Sequence, residues 1–300
     1  MTRFRGSWVA LATPFRGGRP DLADWRAALA RQRAAGTDGV VVAGTTGEGS
    51  TLTPSERGAL YAEAERSGLP WIASVGTSDT RTTLELAEHA RIAGAHGLLV
   101  STPAYARPSQ AGLAAHFGAV AAATPLPVVL YDVPARTAVT LEVDTALAVA
   151  RAHANVVAIK EAGGSLARLA ALGPELDVLW GDDATLDEAL AAGVGGAVSV
   201  LGNLFPALLR KRIVGDEREL AAHFAPWNAL LYRASNPTPL KAVLGRLGHA
   251  AEELRLPLVP VEDELRRALV ALIADAANVF ELEHRAVNAN EEPANELLVE

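Results

Sequence analysis

The sequence VVAIKEAGG at residues 156–164 has the pattern of a buried β-strand. Its first four residues are small or β-branched and apolar, which is typical of a strand that is buried on both faces in a parallel sheet. A lysine, Lys160, ends this apolar run. A buried amine loses the hydration that favours its charged form, so it is more often neutral and can attack a carbonyl group to form a Schiff base. The competing interpretation has equal support from this stretch alone: a lysine just past the strand end that reaches water and pairs with Glu161.

Eight β-type runs occur along the chain, and a helical stretch follows each of them. The runs cover residues 8–15, 39–47, 70–77, 97–103, 127–134, 156–162, 177–183 and 196–203. The clearest helix start is Thr53-Pro54-Ser55-Glu56, with an N-cap threonine, a proline at the first helical position and a glutamate three residues after the cap. Strict alternation of strand and helix predicts right-handed crossovers and a parallel sheet. Because all eight runs fall within residues 1–215, the sequence predicts an α/β fold with a closed (β/α)8 TIM barrel rather than an open sheet.

The β-type pattern stops after residue 205. The following segment reads as helices that are broken at Asn236-Pro237, Pro239 and Pro257. We therefore expect a catalytic barrel at residues 1–215 and a C-terminal helical extension at residues 216–278. Residues 279–300 end in the polar and acidic sequence NANEEPANELLVE, and we expect them to form a disordered tail.

The composition excludes several classes of function. A net charge of −8 and a pI near 5.5 give no basic surface for nucleic acid or for an anionic membrane. Cysteine is absent from the 300 residues, so disulfides and thiolate chemistry are excluded, and the seven histidines show no metal-ligand spacing. The N-terminal residues lack the apolar core of a signal peptide, and no apolar run is long enough to cross a membrane. We expect a cytoplasmic protein.

Polar side chains gather where the predicted strands end. In such barrels the active site lies at the carboxyl ends of the strands. The residues at these ends are Thr13, Thr45, Thr46, Thr77, Tyr105, Tyr131, Lys160, Asp182 and Asp183. Neighbouring parallel strands are about 4.8 Å apart, so Tyr131 and Lys160, on the fifth and sixth strands, are expected to share one pocket. A phenol beside such an amine suits the proton transfers of imine chemistry.

Three further features have two interpretations each. The glycine-rich sequence GTTGEG at residues 44–49 is either a cradle for a carboxylate or an ordinary turn between strand and helix. It matches neither the GxGxxG fingerprint nor a P-loop. Arg136 is either a bidentate clamp for a second carboxylate or a surface arginine. Asp182 and Asp183 either bind a cation or, the better-supported interpretation, cap the next helix.

Six motifs in this order resemble the dihydrodipicolinate synthase family within the N-acetylneuraminate lyase superfamily of class I aldolases. They are GTTGE at 44–48, TPAYARP at 102–108, YDVPART at 131–137, IKEAGG at 159–164, GDD at 181–183 and SNPTPLK at 235–241. The resemblance extends from about Gly6 to about residue 275. Two departures stand out: Ala104 replaces an aromatic residue of many synthases, and Asp132 replaces a common asparagine.

The resemblance implies a set of catalytic residues. Lys160 would form a Schiff base with pyruvate, and Tyr131 would be the general acid and base. Thr45 would link Tyr131 to Tyr105 in a proton relay, with Tyr105 reaching into the site of a neighbouring subunit. The enamine of pyruvate would attack L-aspartate 4-semialdehyde, and the new amine would displace the lysine and close the ring.

The resemblance also implies residues that bind substrate. Thr46 would bind the pyruvate carboxylate, Val198 would contact pyruvate through its backbone, and Arg136 would position the carboxylate of the aldehyde. Gly181, in the GDD motif, would line the same pocket. No metal or organic cofactor is implied, and the expected assembly is a homotetramer built as a dimer of dimers.

Two alternatives remain at this stage. The first is another pyruvate-dependent aldolase or lyase of the superfamily, acting on N-acetylneuraminate, a 2-keto-3-deoxy sugar acid or 4-hydroxy-2-oxoglutarate. Arg136 favours the synthase, because a rigid guanidinium suits an aldehyde with a carboxylate better than a polyol. The second is a catalytically silent barrel that serves as a binding protein. The combined presence of Lys160, Tyr131, Tyr105 and Thr45 argues against it.

Overall fold

The computed structural model describes residues 4–163 and 165–296, with side chains described up to residue 290. Eight parallel strands form a closed barrel in which each strand pairs with the next along the chain and the last pairs with the first. This confirms the predicted fold. The strands are β1 (Gly6–Ala10), β2 (Gly39–Val42), β3 (Trp71–Ser74), β4 (Gly97–Ser101), β5 (Val128–Asp132), β6 (Val156–Glu161), β7 (Asp177–Trp180) and β8 (Gly196–Ser199).

Helices follow the strands, and more helices follow the barrel. They are α1 (Leu22–Ala34), α2 (Pro54–Arg66), α3 (Thr80–Ile92), α4 (Gln110–Ala122), α5 (Pro134–Thr137), α6 (Val143–Ala152), α7 (Leu169–Leu172), α8 (Leu186–Ala191), α9 (Pro206–Val214), α10 (Ala221–Leu231), α11 (Thr238–Arg246), α12 (Asp263–Asp275) and α13 (Ala277–Glu296). The predicted start of α2 is confirmed, because Thr53 and Glu56 form a reciprocal capping box around Pro54. Among the described residues, no helix is long and apolar enough to span a bilayer.

Strand residues alternate between two cores. Trp8, Ala10, Val41 and Leu99 belong to the cluster inside the barrel, and Tyr131, Ala158 and Val198 belong to it as well. The residues between them on each strand pack outward against the helices. Side chains two positions apart on a strand share a face, so Lys160 points to the same side as Ala158, into the barrel.

Most predicted β-type runs continue beyond the observed strands. The run at residues 39–47 is a strand only as far as Val42, because Ala43 adopts a left-handed conformation with φ 57°. The run at residues 8–15 leaves the barrel after Ala10, and its last residue, Phe15, begins a small antiparallel hairpin. The residues past these strand ends form the loops at the mouth of the barrel.

The C-terminal tail differs from the prediction. Residues 277–296 form helix α13, so the prediction of disorder from residue 279 is wrong as far as 296; residues 297–300 lie outside the described part. Val279 and Ala286 are buried on one face of α13. Glu283, on the same face, accepts hydrogen bonds from the N–H groups of Ala207 and Leu208 at the start of α9, at 2.8 and 2.9 Å. Apolar residues at helical spacing and one capping carboxylate therefore outweigh the acidic composition.

Candidate active site

Lys160 and Tyr131 lie side by side at the carboxyl end of the barrel. They are paired across β5 and β6 in the strand register. The lysine is 7% exposed and the tyrosine 8%. The Lys160 Nζ lies 4.4 Å from the centroid of the Tyr131 ring. Among the described residues no carboxylate pairs with Lys160, so the competing interpretation of a lysine that snorkels to Glu161 is wrong.

The residues that follow this pair, Asp132 and Glu161, both contact one arginine outside the barrel. Asp132 and Glu161 are fully buried on the outer face of the barrel. Arg168 bridges them, with Nη2 3.0 Å from Asp132 Oδ2 and Nε 2.9 Å from Glu161 Oε2. Burial raises the pKa of both carboxyl groups, and Arg168 opposes that shift. The bridge ties β5 to β6 one residue beyond Tyr131 and Lys160.

Gly181 leaves room for the lysine side chain. A Cβ atom at this position would lie 2.8 Å from the Lys160 Cε and 2.9 Å from the Ala162 Cβ. The N–H group of Gly181 donates a 2.8 Å hydrogen bond to the carbonyl oxygen of Glu161. The close approach of this backbone to Lys160 therefore requires glycine.

The loop at residues 44–49 folds back on itself. The N–H of Gly49 donates to the Gly44 carbonyl and the N–H of Glu48 donates to the Thr45 carbonyl, both at 3.0 Å. These two N–H groups are therefore used inside the loop, as in an ordinary turn. The buried Thr46 accepts a 2.9 Å hydrogen bond at Oγ1 from the Asn236 Nδ2.

A cavity of about 650 Å³ opens at this end of the barrel. Its lining includes Thr45, Tyr131, Arg136 and Asn236. Lys160 is not part of the lining, but it contacts Tyr131, and Tyr131 lines the cavity. Arg136 is exposed, and its Nη2 donates a long hydrogen bond of 3.4 Å to the Asn236 carbonyl oxygen. Its guanidinium is accordingly placed at the cavity and only weakly held.

Four more predicted residues lie apart from the cavity lining: Thr46, Gly181, Tyr105 and Val198. Tyr105 is 95% exposed on the loop after β4 and has a left-handed backbone with φ 69°. Its place in the site of a neighbouring subunit stays a prediction. Val198 is buried inside the barrel in the same cluster as Tyr131, near the end of β8.

The remaining polar residues at the strand ends support the loops. Thr13 Oγ1 donates to the Gly47 carbonyl oxygen at 2.8 Å, and Thr77 Oγ1 donates to the Asp79 carbonyl oxygen at 2.7 Å. Asp182 caps the short turn that follows it by accepting from the Ala184 N–H at 3.0 Å. These contacts stabilise the loops that follow β1, β2, β3 and β7.

Asp183 has a different role from its neighbour. It is buried, and its Oδ2 accepts hydrogen bonds from the N–H groups of Val200 and Leu201, both at 2.8 Å. The capping interpretation therefore fits the pair better than a cation site. In the part of the chain that the structure describes, no three His, Asp or Glu side chains gather in a way that could hold a metal ion.

Sequence reasoning missed Asn236, Glu48 and Lys241 as residues of the site region. Asn236 contacts both Thr46 and Arg136. Glu48 and Lys241 form an ion pair with both side chains 1% exposed. Asn236 and Lys241 belong to the motif SNPTPLK, but no local pattern in it indicates contact with a loop 190 residues earlier.

Residues 3–276 match the model of the Dihydrodipicolinate synthetase family. The chain belongs to this family. The 4-hydroxy-tetrahydrodipicolinate synthase of Geotalea daltonii is 39% identical over 286 residues, which cover 91% of this chain and 98% of the relative. The enzyme of the same name from Sorangium cellulosum is 40% identical over 280 residues, covering 88% and 93%.

The solved structures agree with the family assignment. The crystal structure of dihydrodipicolinate synthase from Thermotoga maritima superposes with a TM-score of 0.88 at 32% identity, covering 92% of this chain and 99% of that one. The resemblance inferred from the six motifs is thereby confirmed. The chain is an enzyme of the lyase type that this family comprises.

Proposed function

We propose that this chain is a 4-hydroxy-tetrahydrodipicolinate synthase that condenses pyruvate with L-aspartate 4-semialdehyde through a Schiff base on Lys160. The observation that carries the proposal is the buried amine 4.4 Å from the Tyr131 ring centroid at the mouth of the barrel. A desolvated amine without a carboxylate partner is a better nucleophile than one in an ion pair. The name of the relatives, 4-hydroxy-tetrahydrodipicolinate synthase, supports the product of this reaction.

The proposed reaction begins when the Lys160 amine attacks the keto carbon of pyruvate. Water leaves, and an imine forms. Loss of a proton from the methyl group gives an enamine, which attacks the aldehyde carbon of the second substrate. The amine of that substrate then adds to the imine carbon, displaces Lys160 and closes the ring. Tyr131 would move the protons of these steps, and its ring lies beside the amine.

The proposed binding roles rest on the family resemblance and, for Arg136, also on its position and charge. Thr46, at the end of the loop after β2, is proposed to bind the pyruvate carboxylate. Arg136, an exposed cation that lines the cavity, is proposed to bind the carboxylate of the aldehyde. Val198 and Gly181 are proposed to shape the pocket around the pyruvate carbon chain.

Two further proposals concern the relay and the setting of the enzyme. Thr45 would pass protons between Tyr131 and the Tyr105 of a neighbouring copy, which suits the 95% exposure of Tyr105 in the single chain. This relay requires at least a dimer, and we propose a homotetramer made of two such dimers. We also propose a cytoplasmic location, where a lysine or diaminopimelate biosynthetic enzyme finds both substrates.

The proposed function is tested by steady-state turnover with pyruvate and a panel of aldehydes. We expect turnover with L-aspartate 4-semialdehyde and a kcat/KM at least ~100-fold lower with sugar aldehydes, because these offer no carboxylate to Arg136. A matched pair of variants sharpens the test. Arg136→Lys keeps the charge but loses the planar fork, and Arg107→Lys changes a second arginine outside the cavity lining. Preference for a sugar aldehyde would overturn the choice of substrate.

A further inference from the structure

A fully buried ion pair joins the loop at residues 44–49 to helix α11. Glu48 and Lys241 are in hydrogen-bond contact, and each side chain is 1% exposed. The Lys241 Nζ also donates to the Glu253 carbonyl oxygen at 2.8 Å and lies 4.2 Å from the centroid of the Phe15 ring. The second carboxylate oxygen of Glu48 accepts the N–H of Arg255 at 2.9 Å. Both charged groups therefore have partners on more than one side.

The glutamate of this pair sits in a backbone conformation that few residues adopt. Glu48 has φ 49° and ψ 37°, in the left-handed region that mostly favours glycine. Its N–H donates to the Thr45 carbonyl oxygen at 3.0 Å. Surrounding contacts must hold a non-glycine residue in this conformation. The bonds to the Glu48 carboxylate supply such contacts, and the conformation they hold determines where Thr45 and Thr46 lie.

A second contact holds the same two segments together. Asn236 lies five residues before Lys241 and donates from Nδ2 to the Thr46 Oγ1 at 2.9 Å. Because that bond occupies a lone pair of the hydroxyl oxygen, the hydroxyl hydrogen of Thr46 remains available to donate to a carboxylate. The loop is thus attached to the C-terminal helices at one end through Thr46 and at the other through Glu48.

We propose that Glu48 and Lys241 form a positioning pair that sets the conformation of the loop at residues 44–49 for pyruvate binding. The proposal rests on the proposed function, because it assigns the pair to the pyruvate subsite of that reaction. A buried ion pair is in general weak evidence for stability, since apolar side chains of similar volume often serve equally well. This pair also positions the loop at residues 44–49, which apolar side chains of similar volume would not do.

The test compares Lys241→Met with a control at another buried cation. Arg212 is also buried and pairs with Asp187, outside the lining of the cavity. Each protein is incubated with pyruvate over a concentration series and reduced with borohydride, and the fraction of Lys160 that carries the adduct is measured by mass. The melting temperature is recorded alongside.

We expect Lys241→Met to raise the half-saturating pyruvate concentration by about 10-fold or more, because a small displacement of a binding group has large effects. Labelling of Lys160 at saturating pyruvate should remain complete. Lys241→Arg, which keeps the charge, should recover most of the affinity. Arg212→Met should lower the melting temperature and leave the half-saturating concentration within about 2-fold of the wild type.

Two results would distinguish a failure of this inference from a failure of the proposed function. If Lys241→Met melts earlier but keeps the wild-type pyruvate dependence, the pair is only structural and the inference is wrong. If the wild type itself is not labelled at Lys160, the proposed function fails instead. Should Lys241→Met not fold, Glu48→Gln, which keeps the shape of the side chain, is measured in the same way and decides the question by the same criterion.

Discussion

Two buried lysines in this chain have opposite surroundings. Lys241 contacts a carboxylate, a carbonyl oxygen and an aromatic ring, so its charge is compensated. Lys160 contacts the Tyr131 ring, and no carboxylate among the described residues pairs with it. The ion pair therefore fixes the position of the Lys241 amine, whereas no carboxylate among the described residues fixes that of Lys160. The sequence singles out Lys160 because it ends an apolar strand, whereas Lys241 lies in a helix where lysine is common.

At the scale of a single residue, Gly181→Ala tests how closely the backbone must approach Lys160. The added methyl group would lie 2.8 Å from the Lys160 Cε, so the amine must shift. We expect borohydride trapping with pyruvate to slow by about 10-fold to 100-fold, and the melting temperature to fall as well, because the new atom also lies 2.9 Å from the Ala162 Cβ. The control is Gly195→Ala, at the opposite end of the barrel, where the new Cβ meets only the flexible Arg5 side chain at 3.3 Å. Equal trapping rates in the two variants would contradict this account.

Among the structural elements, β5 and β6 carry the site, and their alignment is fixed from outside the barrel. Arg168 bridges the buried carboxylates of Asp132 and Glu161, one from each strand. The strand register places these two residues opposite each other, just as it pairs Tyr131 with Lys160. A shift of β5 relative to β6 would therefore separate Tyr131 from Lys160 and also Asp132 from Glu161.

Arg168→Met removes the shared cation and leaves two buried carboxylates without it. We expect the free energy of unfolding to fall by about 3–5 kcal/mol at neutral pH. The loss should be smaller in mild acid, because burial already raises the pKa of both carboxyl groups and protonation removes their charge. Urea unfolding at two pH values measures this. The exposed pair Arg91–Glu88 supplies the control Arg91→Met, which should cost less than about 1 kcal/mol. A loss of that small size for Arg168→Met would refute the bridging role.

The elements were predictable from local signals, and their exact ends were not. Apolar runs and helix starts such as Thr53 indicate eight alternating units, and the rule that sites lie at the carboxyl ends of strands then brings Tyr131 and Lys160 together. The runs overshoot the strands because apolar composition continues into loops, whereas a left-handed residue such as Ala43 ends the strand. Tertiary packing of Val279 and Ala286 likewise makes α13 a helix despite its acidic sequence.

Over the whole molecule, the helices after the barrel are part of the site and of the barrel's support. Asn236 and Lys241, around the start of α11, hold the loop that carries Thr46. Glu283 of α13 caps α9. These contacts join residues that are 76 to 193 positions apart, so no local sequence pattern predicts them. The domain boundary predicted between residues 215 and 216 stays a prediction. Residues on both sides of it line the cavity.

Glu283 gives the molecule a pH-dependent stability. Burial raises its pKa from 4.5 to about 7, so the folded state binds more protons than the unfolded state between these two values. Stability should therefore fall as pH rises through this window and stay constant above it. From about pH 5.5 to about pH 8, this group accounts for a loss of about 2 kcal/mol.

Urea unfolding of Glu283→Gln at these two pH values tests that assignment. The variant should lose about 2 kcal/mol less than the wild type over the same interval, since its side chain does not titrate. Glu281→Gln changes an exposed glutamate of the same helix and should keep the wild-type dependence. Parallel curves for the wild type and Glu283→Gln would show that another group is responsible.

Covalent trapping detects the Schiff base on Lys160 itself. The chain has three lysines, Lys160, Lys211 and Lys241, so peptide mass mapping after borohydride reduction with pyruvate assigns any adduct to one of them. We predict a single adduct on Lys160, its loss in Lys160→Arg and its retention in Lys211→Arg. No adduct, or an adduct on Lys211 or Lys241 with Lys160 unmodified, would contradict the account.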